Sequence, residues 1–152
     1  MKKSHFVLFF GISLSIFISC ETDDICLEPT TPQLIIRFYD VANPTKKKEV
    51  TNLNIWVVGK DSIIKNKKTD SIAIPLKTVA DITTYKFSSS NLVDEVSFSY
   101  QRSEVFISRS CGYKFVFQNI KTSKTSSNWV KQLIIINSNI ENEKNAHINI
   151  LH

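Results

Sequence analysis

Three cysteines carry the most reactive side chains of this sequence, and their positions limit the chemistry that they can perform. They stand at positions 20, 26 and 111 in a chain of 152 residues. A cysteine sulfur can carry a lipid, close a disulfide or bind a metal as the thiolate. Three are too few for a four-thiolate zinc site, and no pair has the C-x-x-C spacing of redox motifs. The sequence around each cysteine must therefore decide its role.

The segment before Cys20 has the pattern of a secretory signal peptide. Two lysines at positions 2 and 3 give a basic start, and an apolar run follows from Phe6 to Ile18. The run has about 13 residues, below the ~20 that a membrane-spanning helix needs. Residues Phe17 to Cys20 resemble a bacterial lipobox, in which the cysteine thiol receives a diacylglycerol and the chain is cut before the cysteine. The open alternative is an ordinary secretory signal in which Cys20 occurs by chance.

Cleavage before Cys20 changes the length and the charge of the chain. Removal of residues 1–19 leaves 133 residues and takes away two lysines, so 17 basic side chains stand against 14 acidic ones. A net charge of +3 does not indicate a nucleic-acid-binding protein. Two or three acyl chains give stable membrane anchoring, so we expect the membrane to be a partner through the lipid on Cys20.

Three acidic residues follow the predicted lipid attachment site: Glu21, Asp23 and Asp24. They resemble the acidic export signal of surface-exposed lipoproteins in Bacteroidota-type bacteria. The alternative is a solvated tether that holds the domain away from the lipid headgroups. The sequence thus predicts a lipid-anchored protein of the outer membrane and leaves open whether it faces the cell surface or the periplasm.

The two remaining cysteines, Cys26 and Cys111, are most simply interpreted as a disulfide. An exported protein meets an oxidising compartment, where paired thiols usually oxidise. The bridge would close a loop of about 85 residues, and chain entropy gives a stabilisation on the order of 4 kcal/mol. A metal ligand or a redox-active thiol is the alternative for either residue.

Residues that could carry catalysis are scarce. After cleavage the only histidines are His147, in a strand-like tail, and the terminal His152, and no G-x-S-x-G motif is present. Asp94 and Glu95 are adjacent, so on a strand their side chains would point to opposite faces instead of meeting across a cleft. Three glycines are too few for a Gly-rich phosphate loop. We therefore expect a protein that is not an enzyme and has no cofactor and no metal.

Arg109 is the most unusual charged residue, because it shares a strand face with Val105 and Ile107, beside Cys111. A buried arginine needs a carboxylate or backbone carbonyls as partners. The alternatives are a structural clamp near the disulfide and a contact with a partner protein.

Four aromatic residues are candidate platforms for stacking on a sugar ring: Trp56, Trp129, Tyr39 and Tyr100. Trp56 is the better candidate for the core. Trp129 follows a polar loop and is the better candidate for an exposed aromatic and a partner contact. This feature supports the alternative function, a glycan-binding or adhesin-like surface module.

The body of the chain is predicted to consist of strands. Apolar and polar residues alternate with period two along 34–39, 53–58 and 96–101, and turn residues recur about every ten positions. Pro75 cannot donate to a ladder, which puts its strand at an edge or ends it there. The lysines at 65–68 are expected in a loop, and the apolar run Leu133 to Ile136 in a strand covered on both sides. The pattern predicts an all-β sandwich of eight or nine short, mostly antiparallel strands.

The predicted organisation is a signal peptide at 1–19, a lipidated tether at 20–32 and a β-sandwich domain at 33–152. Several segments resemble a family of small uncharacterised lipoproteins of Bacteroidota, a domain of unknown function: Cys26, Pro29 to Asp40, Ile74 to Leu76, and Phe106 to Tyr113. The resemblance implies an exported all-β lipoprotein with no established activity. It also implies an outer-membrane barrel protein as a candidate partner. We therefore expect a non-catalytic binding or scaffolding module anchored in the outer membrane.

Overall fold

The computed structural model describes Cys26 and residues 30–152, and every regular element in that part of the chain is a β-strand. The predicted signal peptide, the lipid attachment site Cys20 and the acidic residues Glu21, Asp23 and Asp24 lie outside the described residues. Nine strands form two mostly antiparallel sheets, which confirms the predicted all-β sandwich. No helix among the described residues has the length and apolar character needed to cross a membrane.

The strands vary widely in length, from four residues to seventeen. In chain order they are β1 (Leu34–Tyr39), β2 (Val50–Trp56), β3 (Ser62–Thr69), β4 (Ser71–Ile74), β5 (Ile82–Ser89), β6 (Leu92–Ser108), β7 (Gly112–Lys124), β8 (Gln132–Ile135) and β9 (Ile148–Leu151).

One sheet has the order β4-β1-β9-β8 and the other β3-β2-β5-β6-β7. The pairing of β1 with β9 is parallel, with Arg37 opposite Asn149, and it brings the two ends of the described chain together in one sheet. β5 and β6 form a hairpin with a two-residue turn at Ser90 and Asn91, whose φ angles of 49° and 69° are those of a type I′ turn.

The core lies between the two sheets and is built by alternate residues of each strand. Along β1 the side chains of Leu34, Ile36 and Phe38 are fully buried, while the residues between them are half-buried. Phe98 of β6 contributes to the same cluster from the other sheet. The period of two in the sequence therefore arises because one face of each strand packs inward.

Two edge regions differ from the sequence prediction. The run Leu133 to Ile136 was expected to be covered on both sides, but β8 is an edge strand and Ile136 is 57% exposed. The sequence predicts a loop for the lysine-rich stretch 65–68, but these residues lie within β3. This strand is at the edge of the five-stranded sheet, where charged side chains face solvent. Lysines on edge strands discourage pairing with other chains. The prediction for Pro75 is confirmed, because β4 is an edge strand that ends at Ile74.

Candidate binding surface

The strands β6 and β7 extend well beyond the rest of their sheet. β6 pairs with β5 only as far as Ser99, and the Arg102 guanidinium then binds Asp81 at 2.6 Å and the Thr78 carbonyl oxygen. From Ser103 to Ser108, β7 is the only strand partner of β6 in the described part of the chain. This two-stranded extension, residues 103–116, is called the ribbon below. Its six β6 residues span roughly 20 Å.

A disulfide holds the tip of the ribbon. Cys26 and Cys111 are bonded, with their Cα atoms 5.0 Å apart, and Cys111 lies in the three-residue turn between β6 and β7. Gly112 takes a φ of 69° as β7 begins, a backbone conformation that glycine adopts without strain. A second tie lies farther back, where the Phe115 amide donates to Thr31 Oγ1 at 3.0 Å. An isolated two-stranded ribbon is marginally stable in water, so these ties compensate for its missing neighbours.

One face of the ribbon continues the inward face of the sheet into solvent. Phe117, Phe115 and Tyr113 alternate along β7 and therefore share this face. Phe117 is fully buried, Phe115 packs partly against the core, and Tyr113 is 67% exposed. Opposite Tyr113 on β6 stands Phe106, which is 55% exposed, and the two ring centroids are 5.2 Å apart. The ribbon thus displays an aromatic pair that the core does not cover.

Sequence reasoning did not select Phe106 or Tyr113 as a site. The sequence signal that could have identified them is their position on either side of the turn that contains Cys111. Two large aromatic residues that pair near the end of a hairpin are too far from the core to be buried in it. Val105, on the other ribbon face, is also 39% exposed and stands opposite Lys114.

Arg109 does not lie on the strand face to which the sequence pattern assigned it. β6 ends at Ser108, and Arg109 occupies the exposed turn beside Cys111. Of the two alternatives for Arg109, the buried structural clamp is wrong, because the turn begins at this residue and ends the alternation of β6. Arg109 instead presents a positive charge at the tip of the ribbon.

Trp129 is buried, so it is not the exposed aromatic for which it was the better candidate. Its side chain is 7% exposed, and its indole N–H donates to the Phe87 carbonyl oxygen at 3.1 Å. The cause lies 35 residues earlier, at the carboxylate of Asp94, which is fully buried. Asp94 accepts hydrogen bonds from the Trp129 and Val130 amides, each at 2.8 Å, and so draws this segment inward.

The same carboxylate also accepts hydrogen bonds from Ser126 Oγ at 2.6 Å and from the Asn128 amide at 2.7 Å. Burial alone would raise the pKa of Asp94, but these hydrogen bonds together hold it below its usual value. Glu95 lies half-buried on the other strand face, as predicted for adjacent acids. Asp94 therefore organises a loop from the core and is not part of a carboxylate pair.

The remaining candidate platforms are divided between core and surface. Tyr100 is buried, with its hydroxyl bonded to Thr83 Oγ1 at 2.6 Å and donating to the Lys77 carbonyl oxygen at 2.9 Å. Trp56 and Tyr39 are half-buried at the ends of β2 and β1. Tyr39 is thus an aromatic side chain outside the ribbon that a ligand could still reach.

Both histidines of the described region pack against or bond to the body of the sandwich. Burial lowers the pKa of His147, whose Nδ1 accepts a hydrogen bond from the Ile35 amide at 3.0 Å. Burial also lowers the pKa of His152, whose ring packs edge-on against Trp129 and Phe38. Across Cys26 and residues 30–152, no three His, Cys, Asp or Glu residues gather in a group that could hold a metal ion.

Residues 52–152 match a protein family described as a family of unknown function, DUF6452. The match covers about two thirds of the chain. The chain belongs to this family. No match is found among curated proteins or among solved structures. The family match includes the ribbon and Cys111, and it begins after Cys20, Cys26 and the acidic residues that follow the predicted cleavage site.

Proposed function

We propose that this protein is a lipid-anchored, non-catalytic binding or scaffolding module of the outer membrane, of the kind found in Bacteroidota, and that its partner is an outer-membrane protein. The anchor is the thiol of Cys20, and the contact surface is the ribbon. The observation that carries the proposal is the aromatic pair of Phe106 and Tyr113, which is exposed on an extension that the sandwich itself does not need.

The composition of the ribbon surface favours a protein contact. Protein interfaces are enriched in aromatic residues and arginine, and a few of these residues supply most of the binding energy. Phe106 and Tyr113 are 55% and 67% exposed, and Arg109 lies in the turn that joins their strands. A large aromatic pair left in water marks an interaction site more often than a scattered apolar residue does.

The disulfide supports a membrane-proximal position for this surface. Cys26 is bonded to Cys111 at the ribbon tip and follows Cys20 by six residues. At ~3.3 Å per residue, a lipid on Cys20 would hold the tip within roughly 20 Å of the bilayer. An integral outer-membrane protein would be within reach of a ribbon held at that distance.

The experiment that tests the contact is site-specific crosslinking in the native envelope. A photo-reactive amino acid is placed at Phe106 or Tyr113, and at Val58 as the matched control. Val58 is 64% exposed and adjoins β2, away from the ribbon edge of the sheet. We expect the same outer-membrane protein to be captured from both ribbon positions and not from Val58. Capture of no protein, or equal capture from all three positions, would contradict the proposed contact.

The anchor is tested separately by metabolic labelling with a fatty-acid analogue. We expect the wild-type chain to be labelled and to fractionate with the outer membrane, and Cys20→Ser to lose both properties. Labelling of Cys20→Ser at the wild-type level would refute the lipid attachment.

The side of the membrane is tested by treating intact cells with protease. Replacement of Glu21, Asp23 and Asp24 by alanine should reduce accessibility, and unchanged accessibility would leave these residues as a tether only.

A further inference from the structure

A polar groove lies on the outer face of the four-stranded sheet, away from the ribbon. It has a volume of about 450 Å³, within the range of small-molecule sites. Its lining includes Arg37, Tyr39, Asn137, Asn145, Asn149 and Ile136. None of the residues that line it in the described part of the chain is acidic.

The sheet places the central residues of the groove side by side. Arg37 of β1 and Asn149 of β9 are register partners in the parallel pair. Their strand neighbours Ile36, Phe38 and Ile148 are fully buried, so by alternation Arg37 and Asn149 face away from the core. Tyr39 lies two residues after Arg37 and therefore shares that outward face.

The groove contains polar groups that have no partner among Cys26 and residues 30–152. Asn149 Oδ1 is buried and has no hydrogen-bond partner among the described residues. Arg37 makes no ion pair within the same part of the chain. Most buried polar atoms in folded proteins are paired, so a buried unpaired acceptor beside a guanidinium without an ion pair favours this groove as a place for a polar ligand.

We propose that this groove binds an acidic saccharide, a sugar ring that carries a carboxylate. The planar guanidinium of Arg37 matches a carboxylate through two parallel hydrogen bonds. The ring of Tyr39 offers an apolar surface for a sugar face, with a hydroxyl at its edge. Asn149 Oδ1 accepts from a sugar hydroxyl, and Asn137 and Asn145 supply further amide groups at the rim.

This chemistry distinguishes the ligand from simpler alternatives. A neutral sugar would leave the Arg37 charge without a counter-charge, and a free inorganic anion would leave the Tyr39 ring without a sugar face to pack against. The inference depends on neither the lipid anchor nor the ribbon, so its test is independent of the proposed function.

The test is calorimetry of the purified protein with a hexuronic-acid oligosaccharide, the neutral hexose oligosaccharide of equal length, and inorganic phosphate. We expect the acidic oligosaccharide to bind at least tenfold more tightly than either of the others. Arg37→Gln should weaken that binding about tenfold or more, since a charge-assisted pair is worth about 1.5–3 kcal/mol. Tyr39→Leu and Asn149→Ala should each weaken it as well.

Lys121→Gln is the matched control, because it removes an exposed positive charge from β7 in the other sheet. It should leave the affinity unchanged, and circular dichroism should show that every variant is folded. Three results would overturn the proposal: absence of binding, equal affinity for the neutral oligosaccharide or phosphate, and equal losses for Arg37→Gln and Lys121→Gln.

Discussion

Replacement of Asp94 by asparagine should strongly destabilise the protein, although the two side chains have almost the same shape. Asp94 is fully buried, and its two oxygens accept four hydrogen bonds from the segment 126–130. Oδ1 serves Ser126 and Asn128, and Oδ2 serves the Trp129 and Val130 amides. Asparagine keeps one oxygen and replaces the other by an NH₂ group, which donates and cannot accept.

The magnitude follows from the bonds that the substitution removes. If the amide nitrogen takes the position of Oδ2, two backbone N–H groups lose their acceptor and face another donor. A hydrogen bond to a charged group contributes about 1.5–3 kcal/mol, so two of them amount to about 3–6 kcal/mol. A domain of this size has a total stability of about 5–15 kcal/mol, so the loss would be a large fraction of it.

The assay is urea unfolding followed by tryptophan fluorescence in a Trp56→Phe background, where Trp129 alone reports. With a urea dependence of about 1–3 kcal/mol per molar, the midpoint of Asp94→Asn should fall by on the order of 2 M. The control is Glu95→Gln, which makes the same change one residue later on the opposite strand face and should alter stability by less than about 0.5 kcal/mol. An Asp94→Asn midpoint equal to that of Glu95→Gln would refute the role given to this carboxylate.

Three further predictions concern pH and the disulfide. The lowered pKa of His147 means that the unfolded chain takes up a proton near pH 6.5 while the folded ring stays neutral. Below about pH 6.5 this histidine should therefore lower the free energy of unfolding by at most about 1.4 kcal/mol per pH unit. The pKa of His152 is lowered as well, so in urea titrations His147→Gln should reduce the pH slope without removing it. Burial, with the neighbouring Tyr100 second, raises the pKa of Tyr85 to about 12, so stability should fall as the pH rises above about 10. Burial raises the pKa of Tyr100 as well, so the late-titrating tyrosinate absorbance of the folded protein should lose one group in Tyr85→Phe and keep the other. The variant in which Cys26 and Cys111 are both serine should lose about 4 kcal/mol of its free energy of unfolding. Its hydrogen exchange should rise first at the ribbon amides. An equal rise along the whole of β6 would contradict the prediction that the ribbon opens independently of the sheet.

The strands that the sequence predicted best are those with one covered face. Along β1 and the first half of β6, buried and half-buried residues alternate in the structure as apolar and polar residues do in the sequence. Local pattern is sufficient there because the pleat and the core impose the same period. Local pattern does not predict the environment of β3 and β8 correctly. An edge strand has a neighbour on one side only, so it can carry either lysines, as β3 does, or consecutive apolar residues, as β8 does.

The positions of Arg109 and Trp129 required information that no local pattern holds. Trp129 follows a polar loop, and its burial depends on hydrogen bonds from its own amide and that of Val130 to a carboxylate 35 residues away. In the sequence Arg109 continues the alternation of β6, but in the structure it is the first residue of the three-residue turn that reverses the chain. The groove of Arg37 and Asn149 is equally non-local, because its two central residues are 112 positions apart and meet only through the parallel pairing of β1 with β9.

The ribbon is the part of the molecule that folding alone does not explain. Its tip adds little buried apolar surface, because Val105, Phe106 and Tyr113 are 39%, 55% and 67% exposed. A hairpin of this kind would be more soluble with polar residues at these positions, and a β-sandwich could close its β6–β7 connection several residues earlier. The Cys26–Cys111 bond instead holds the exposed aromatic pair in one orientation and reduces the conformational entropy that a partner would otherwise have to remove. A surface that is apolar, exposed and held in place by a covalent bond has the properties of a preorganised binding site, and this is the physical basis for proposing partner contact at the ribbon before any other exposed surface.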